Sequence, residues 1–275
     1  MTSDAEAYLK DFHQRRVGTT RRAFATYAAR SAQAEYLSSY HALAERVPND
    51  AMPRTIVDLA CGDGPLLEIL NDRGNSATKL IGIDISNGEL AAARAVLSPN
   101  VRLINERAQA LSLETGSADY VLSHMALMLM DDIEQVMGEI HRVLRKGGKF
   151  VAIVGRAFLL GEVGEVFLNV FRPIGKAHLA QIRFGDSRTR SEDGWRELLQ
   201  HGFSDITFED IDVDWLPTPE QLWQSMLETY DTDRMPEAGR EQFKRELLTA
   251  VTPMQREDGK LKTGWALRLV HASAE

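Results

Sequence analysis

The stretch from Thr55 to Glu89 places the strongest constraint on the fold of this chain. An apolar segment with the character of a buried strand leads into a loop that contains Gly62 and Gly64. Pro65 suits the first turn of a helix, where its missing N–H leaves no hydrogen bond unmade. A second apolar segment then ends at Asp84. Strand, glycine loop, helix, strand and acid form a pattern that binds a nucleoside, because the backbone approaches the ligand at the glycines and the acid accepts the ribose hydroxyls.

Strand and helix patterns continue to alternate after this stretch. Ser86 and Glu89 have the spacing of a capping box at the start of the next helix. The later segments are strands at 101–104, 119–123 and 149–154 and a helix at about 131–144. The alternation predicts an α/β fold with a doubly wound, Rossmann-like, mostly parallel sheet of about seven strands, the last one antiparallel. Ligands bind such a sheet at the carboxyl ends of its strands. Four loops are expected there: 58–64, 84–87, 105–109 and 123–128.

The N-terminal segment has a different composition. Residues 4–46 contain no proline and are rich in helix-forming side chains, which predicts helices at about 4–16 and 20–46. We therefore expect a helical N-terminal arm over residues 1–48. Its many aromatic side chains either pack the arm on the main domain or cover a ligand, and the sequence leaves both interpretations open.

The main domain is expected to span residues 49–275. Two helical insertions, at about 157–190 and 215–255, are expected to form a cap. Between and after them, a strand at 206–213 is expected to pair with a strand at 263–271. The cap is the part of the chain in which substrate specificity is expected to reside.

Charge and cysteine content exclude several classes of protein. The net charge of −8 disfavours nucleic acid as a general partner, because phosphate binding needs a basic surface. Cys61 is the single cysteine, so an intrachain disulfide and a cysteine-rich metal site are excluded, and no metal is expected. The acidic N-terminus is unlike a secretory signal, and no apolar run approaches the roughly 18 residues of a membrane span. We expect a cytoplasmic protein with no membrane partner, and a homodimer is left open.

The glycine loop departs from the dinucleotide-binding pattern. If that pattern began at Gly62, its third glycine would fall at position 67, where the chain has Leu67. The third glycine allows close packing of helix on strand around a pyrophosphate. Leu67 therefore disfavours a nicotinamide-dependent oxidoreductase.

The glycine loop with Asp58 before it instead resembles the first motif of class I S-adenosylmethionine-dependent methyltransferases. Asp84 lies where that family binds ribose, and 118–127 resembles the strand-four motif. The segment 139–151 resembles the helix, double-glycine turn and strand that follow it. The resemblance covers roughly 54–155, and the layout around it is similar to small-molecule methyltransferases of bacterial metabolism.

The resemblance implies S-adenosyl-L-methionine as the cofactor and assigns its contacts. These are Asp58 on the amino group, the backbone of Ala60, Gly62 and Gly64 on the methionine part, Asp84 on the ribose, Ile85 on the adenine ring, Ala108 and Gln109 on the adenine edge, and Ser123 near the methyl group. Family members often carry an acid just before the alanine of the adenine loop, and this chain has Arg107 there.

The catalytic and substrate residues are less constrained. His124, at the end of the fourth strand of the motif region, is the first candidate for a general base and has equal weight as a structural histidine; His13 is a distant second. The candidate substrate contacts are Tyr8, Tyr27, Met128, Arg156, Arg183 and Trp223. Each of them also has a structural interpretation, as core, surface or anchoring residue.

The leading hypothesis is transfer of a methyl group from S-adenosylmethionine to an O, N or C atom of a small metabolite by in-line displacement. One alternative is a protein or RNA methyltransferase. The acidic charge and the absence of an Asn/Asp-Pro-Pro-Tyr/Phe sequence at 123–126 disfavour base methylation. Another alternative is a nucleoside-cofactor-binding module without transfer activity, because methyl transfer requires no diagnostic catalytic residue.

Overall fold

The computed structural model describes residues 3–179, 182 and 184–275. The chain forms two compact units. The first is built from the described parts of Met1–Arg156, Arg183–Ile211 and Leu267–Glu275, and the second from those of Ala157–Ile182 and Asp212–Ala266. The residues with the predicted nucleoside-binding motifs all lie in the first unit.

A sheet organises the structure. Within the described residues it has nine strands: β1 (Ala29–Arg30), β2 (Glu35–Tyr36), β3 (Thr55–Leu59), β4 (Lys79–Asp84), β5 (Arg102–Asn105), β6 (Ala118–His124), β7 (Leu144–Ala157), β8 (Phe203–Trp215) and β9 (Thr263–Ala274). Their order is β2-β1-β8-β9-β7-β6-β3-β4-β5. The pairs β3–β4, β4–β5, β3–β6 and β6–β7 are parallel. The α/β fold with a mostly parallel sheet is therefore confirmed.

Helices connect the strands. In chain order they are α1 (Asp4–Arg15), α2 (Thr19–Phe24), α3 (Ser39–Ala44), α4 (Pro65–Asn71), α5 (Asn87–Val96), α6 (Ile133–Val143), α7 (Gly161–His178), α8 (Glu192–Leu199), α9 (Pro219–Met226), α10 (Tyr230–Arg234) and α11 (Glu237–Val251). None of the helices in the described part of the chain is long and apolar enough to cross a membrane.

The register of the parallel strands determines which side chains share an edge. Asp58 on β3 lies beside Gly82 on β4 and Leu122 on β6. Asp84, the last residue of β4, lies beside Asn105, the last residue of β5. The carboxyl ends of β3, β4, β5 and β6 therefore meet at one edge, as the motif spacing predicts.

The core of the first unit lies between the sheet and helices such as α6. Five residues of α6 recur at helical spacing and are buried: Ile133, Val136, Met137, Ile140 and Val143. They pack with strand residues that include Val121 and Phe150 in one hydrophobic cluster. This packing holds β6 rigidly and so positions the residues at its carboxyl end.

The prediction of a helix over residues 20–46 was wrong. After α2 the chain forms a two-stranded hairpin in which Ala29 pairs with Tyr36, and helix resumes only at α3. The Ser31 hydroxyl accepts the backbone N–H groups of Gln33 and Ala34 and closes the turn. Hydrogen bonds between a serine side chain and nearby backbone groups compete with helix formation. In addition, β1 lies beside β8 in the sheet, which gives the hairpin further strand pairing. The predicted helix over 4–16 agrees with α1.

The second unit contains α7, α9, α10 and α11. Its interior is aromatic: Phe243 on α11 makes edge contacts with Phe167 and Phe171 on α7 and with Trp223 on α9. Pro173 lies inside α7. A proline costs one backbone hydrogen bond there, and the packed apolar face of the helix continues past it.

Candidate functional site

The glycine loop joins β3 to α4 and turns its backbone toward the edge of the sheet. Ala60, Gly62 and Gly64 all have left-handed backbone angles, with φ of 61°, 55° and 87°. Glycine adopts such angles without strain, and an alanine does so only when its surroundings impose it. The Cys61 N–H donates to the carbonyl of Ile83 at 3.0 Å, which ties the loop to the end of β4.

Asp84 anchors the loop from the neighbouring strand. Its Oδ2 accepts the Gly62 N–H at 2.9 Å and its Oδ1 accepts the Ser86 N–H at 2.8 Å. The side chain of Asn105 donates to the Asp84 carbonyl at 2.9 Å. A carboxylate oxygen accepts more than one hydrogen bond, so both oxygens of Asp84 retain acceptor capacity for the hydroxyls of a ligand.

Asp58 and Asp84 form a desolvated acidic pair at the ends of adjacent strands. They are 2% and 8% exposed. Burial, and then the charge of Asp84, raises the pKa of Asp58 to about 8. Burial also raises the pKa of Asp84, against the two N–H donors that lower it. A cationic group placed beside Asp58 would favour its ionised form, so the pair is suited to a ligand with a positive charge.

The loop predicted to contact adenine is buried at Ala108 and Gln109 and is held by hydrogen bonds. Ala108 is 8% exposed. The amide of Gln109 donates to the carbonyl of Asp131 at 2.9 Å, and Gln135 donates to the carbonyl of Gln109 at 2.8 Å. Gln109 thus ties this loop to the start of α6, and its contact with adenine stays a prediction. Ile85, after β4, is half-buried.

Ser123 and His124 end β6 and are both buried. His124 Nε2 lies 2.9 Å from the hydroxyl of Ser39. Its ring stacks on Tyr40, with centroids 3.9 Å apart, and meets Phe24 edge-on at 5.5 Å. Burial lowers the pKa of His124 to about 3, so the imidazole is neutral at physiological pH.

The N-terminal arm contacts three of the four loops and α5, the helix that follows the loop after β4. The pairs that join them are Arg21 with Asp63 at 2.5 Å, the Gly18 N–H with Glu89 at 3.1 Å, Glu6 with Arg107 at 2.5 Å, and Ser39 with His124 at 2.9 Å. Arg21 also bonds Glu68 at 2.7 Å, so one guanidinium bridges the glycine loop and α4. The arm therefore packs on the rest of the first unit, at the edge where the cofactor loops are predicted, and its role as the cover of a ligand stays a prediction.

Several residues at this edge were not among the predicted site residues. Ser39, Tyr40 and Phe24 surround His124. Glu89 accepts a hydrogen bond from the backbone N–H of Gly18 in the arm. The aromatic content of the arm was the one sequence signal for Tyr40. Nothing in the sequence marks Ser39 or pairs it with a histidine 85 residues later.

The predicted substrate residues are not brought together into one group. Tyr8 contacts Phe12 and Phe184, Tyr27 is half-buried, and Met128 packs against the core of the first unit. Arg156 forms an ion pair with Asp210 at 3.4 Å. Trp223 belongs to the second unit, where it contacts Phe243. Arg183 lies outside the described residues.

Comparison with known proteins identifies the domain. Residues 57–152 match the family model described as a methyltransferase domain. This match agrees with the methyltransferase resemblance that the motifs of the same residues indicate. The YcgJ protein of Bacillus subtilis has the same fold, with a TM-score of 0.58 and 14% identity over 86% of this chain and 97% of that one.

Curated relatives of this methyltransferase domain share sequence over part of their length. Demethylmenaquinone methyltransferase of Lactococcus lactis is 36% identical over 103 residues, which are 36% of this chain and 41% of that protein. The enzyme of the same name from Thermus thermophilus is 34% identical over 125 residues, which are 44% of this chain and 56% of that protein. The chain thus spans about half the length of the curated relatives it matches.

Proposed function

We propose that this protein transfers a methyl group from S-adenosyl-L-methionine to a small-molecule metabolite by in-line displacement. The observation that carries the proposal is the buried pair of Asp58 and Asp84 on either side of the left-handed glycine loop. Burial of two neighbouring carboxyl groups disfavours their ionisation, and carboxyl groups perturbed in this way cluster at binding and catalytic sites. The methyltransferase family match over residues 57–152 supports the same function.

The residues present fit this cofactor. Asp84 keeps free acceptor sites for a ribose diol beside its bonds to the N–H groups of Gly62 and Ser86. Asp58 has a pKa of about 8 because it is buried beside a second acid. An ammonium and a sulfonium are the charges such a carboxyl group would accept. We assign Asp58, Ala60, Gly62 and Gly64 to the methionine part and Asp84 to the ribose.

The cofactor supplies an electrophilic methyl group and a neutral leaving group. The protein then has to hold the acceptor atom in line with the bond that breaks and to exclude water. Orientation and water exclusion contribute on the order of 7–11 kcal/mol to such a reaction. The arm is suited to this role, because it covers the loops with the contacts of Arg21, Glu6 and Ser39.

The acceptor is assigned only as a small molecule. The quinone named for the curated relatives is not transferred to this chain, because the match covers 36% to 44% of it. The arm and the helical segments predicted to form a cap are proposed to choose the acceptor, whether at O, N or C. The division into an arm at 1–48 and a main domain at 49–275 stays a prediction, as do cytoplasmic location and a homodimer.

Calorimetric titration with S-adenosylmethionine tests the site. Asp84→Ala is expected to weaken binding by at least tenfold, since it removes the ribose acceptor and the anchor of the Gly62 N–H. Asp50→Ala, which removes an exposed carboxylate paired with Arg54, is the matched control. Unchanged affinity in the Asp84 variant would contradict the placement of the site.

A second assay tests transfer itself. The wild-type protein is incubated with S-adenosylmethionine and a panel of phenols, quinols, amines and carboxylic acids, and S-adenosylhomocysteine is measured. Formation of S-adenosylhomocysteine that depends on one acceptor class supports the proposal. Tight cofactor binding without turnover on any class would favour the binding module instead.

A further inference from the structure

The contact between Ser39 and His124 joins the arm to the centre of the candidate site. Ser39 is the first residue of α3 and is fully buried, and His124 is the last residue of β6 and is 6% exposed. The Ser39 hydroxyl and Nε2 of His124 are 2.9 Å apart. Two residues 85 positions apart in the sequence thus form one buried hydrogen bond at the carboxyl edge of the sheet.

The ring of His124 is held in one orientation. Tyr40 covers one face with an interplanar angle of 22°, and the ring of Phe24 lies at 67° to it. These contacts fix the plane of the imidazole but do not decide which nitrogen carries the proton. That choice falls to the hydrogen bond at Nε2, because the partner of one ring nitrogen determines the state of the other.

The other nitrogen of His124 has no partner of its own. Among the described residues, no side chain or backbone group forms a hydrogen bond with the buried Nδ1. A buried polar atom without a partner is rare and calls for an explanation. Its position beside the loops proposed to bind the cofactor suggests that a ligand supplies the missing partner.

The neutral ring can exist in two forms. If the Ser39 hydroxyl donates to Nε2, the proton of the imidazole lies on Nδ1. If Nε2–H donates to the Ser39 oxygen, Nδ1 presents a lone pair. The second form is favoured, because a neutral imidazole side chain prefers its proton on Nε2 and a buried N–H without an acceptor is rarer than a buried acceptor without a donor.

We propose that Ser39 is a positioning residue that holds the proton of His124 on Nε2 and leaves Nδ1 to accept a hydrogen bond from the O–H or N–H of the methyl acceptor. The acceptor is then a neutral molecule with a hydroxyl or amine group next to or at the methylated atom. This last step rests on the proposed methyl transfer, whereas the state of the imidazole does not.

Nuclear magnetic resonance of the full chain labelled with ¹⁵N-histidine tests the proposal without a substrate. Long-range proton–nitrogen correlations report which ring nitrogen is protonated, and His124→Asn identifies the signal. The wild-type protein is expected to show His124 with its proton on Nε2 alone. Ser39→Ala is expected to give a mixture of both forms, and Ser39→Thr is expected to retain the wild-type pattern.

Ser38→Ala is the matched control. Ser38 neighbours Ser39, and its hydroxyl is directed at His41: it accepts the His41 N–H at 3.3 Å, which caps α3, and lies 2.8 Å from Nδ1 of the same residue. It is expected to lower the stability of α3 and to leave the His124 signal unchanged. A wild-type signal with the proton on Nδ1, or an unchanged signal in Ser39→Ala, would overturn the proposal whatever the outcome of the transfer assay.

Kinetics test the consequence once an acceptor is known. Ser39→Ala is expected to lower kcat by about 3- to 10-fold, the effect of one hydrogen bond, with little change in affinity for S-adenosylmethionine. Ser39→Thr is expected to restore most of the rate. An equal loss of kcat in Ser38→Ala would show that the effect comes from the stability of α3 and not from the imidazole.

Discussion

The carboxylate of Glu89 accepts the backbone N–H of Gly18 with both of its oxygens, at 3.2 and 3.1 Å. The two residues are 71 positions apart. Glu89 is 3% exposed, and its Oε1 also lies 2.9 Å from Nδ1 of His13. Glu89 therefore fastens the bend between α1 and α2 onto the helix that follows Asp84. Ser86 lies between Glu89 and Asp84 in the same turn, since its N–H donates to the Asp84 carboxylate and its hydroxyl accepts the Glu89 N–H.

Glu89→Gln is expected to loosen the arm. The amide retains one acceptor for the Gly18 N–H but loses the charge that strengthens this bond and the contact with His13, so the free energy of unfolding should fall by about 1–2 kcal/mol. Urea denaturation measures the loss, and hydrogen exchange should show faster exchange in α1. Asp11→Asn, which breaks only the exposed pair with Arg15, should change stability by less than about 0.5 kcal/mol.

The same residue shows how far the sequence predicts the structure. Ser86 and Glu89 have capping-box spacing, and the Ser86 hydroxyl does accept the Glu89 N–H at 3.3 Å. The Glu89 side chain, however, turns to Gly18 instead of back to the helix start. Local spacing predicts the cap because both partners lie within one turn. It does not reveal a partner that the fold brings from the arm.

The sheet and its edge were predictable for the same reason. Apolar periodicity and the glycine loop are local signals, and they placed Asp58 and Asp84 at the ends of neighbouring strands correctly. The hairpin of β1 and β2 was not predictable, because strands of two residues have no periodicity and depend on the sheet edge that receives them. The surroundings of His124 were missed because they come from Ser39 and Tyr40 in the arm.

Gly82 is expected to tolerate no side chain. A Cβ there would lie 2.6 Å from Leu67 Cδ1, 2.7 Å from Leu103 Cδ2 and 2.9 Å from Cys61 Sγ. Gly82→Ala should therefore lower the free energy of unfolding by about 1–3 kcal/mol through overpacking. At Gly138 on α6, a Cβ would meet no atom of the described residues within 4 Å beyond the backbone of its own helix and its chain neighbours, so Gly138→Ala should raise stability by up to about 1 kcal/mol. Urea denaturation of both variants gives the comparison, and equal effects would contradict it.

Asp58 is expected to make the ligand-free protein less stable as pH rises. Its pKa is about 8 in the folded chain and near 3.8 in the unfolded chain, because burial and the charge of Asp84 disfavour ionisation. Below pH 3.8 both states hold the proton. Between pH 3.8 and 8 the unfolded chain ionises while the folded chain keeps the proton, so the free energy of unfolding falls as pH rises. Asp58→Asn should remove this slope.

Urea denaturation of the wild type and of Asp58→Asn at several pH values from 5 to 8 measures the difference between their free energies of unfolding. The stability of the variant relative to the wild type should increase with pH across this range and level off above it. Asp50→Asn, which alters an exposed carboxylate, is the control. A difference between variant and wild type that does not depend on pH would contradict the raised pKa.

His124 is expected to have the opposite effect on the pH dependence of stability: it makes the protein less stable as pH falls. Burial lowers its pKa from 6.5 to about 3, so the folded chain holds the ring neutral while the unfolded chain protonates it. The stability that this provides is complete above pH 6.5 and is lost as pH falls toward 3. His124→Asn should therefore lose less stability than the wild type between pH 6.5 and 4.5, whereas His201→Asn, at an exposed site, should follow the wild type. Parallel curves for the wild type and His124→Asn would show that burial does not lower the pKa of the imidazole.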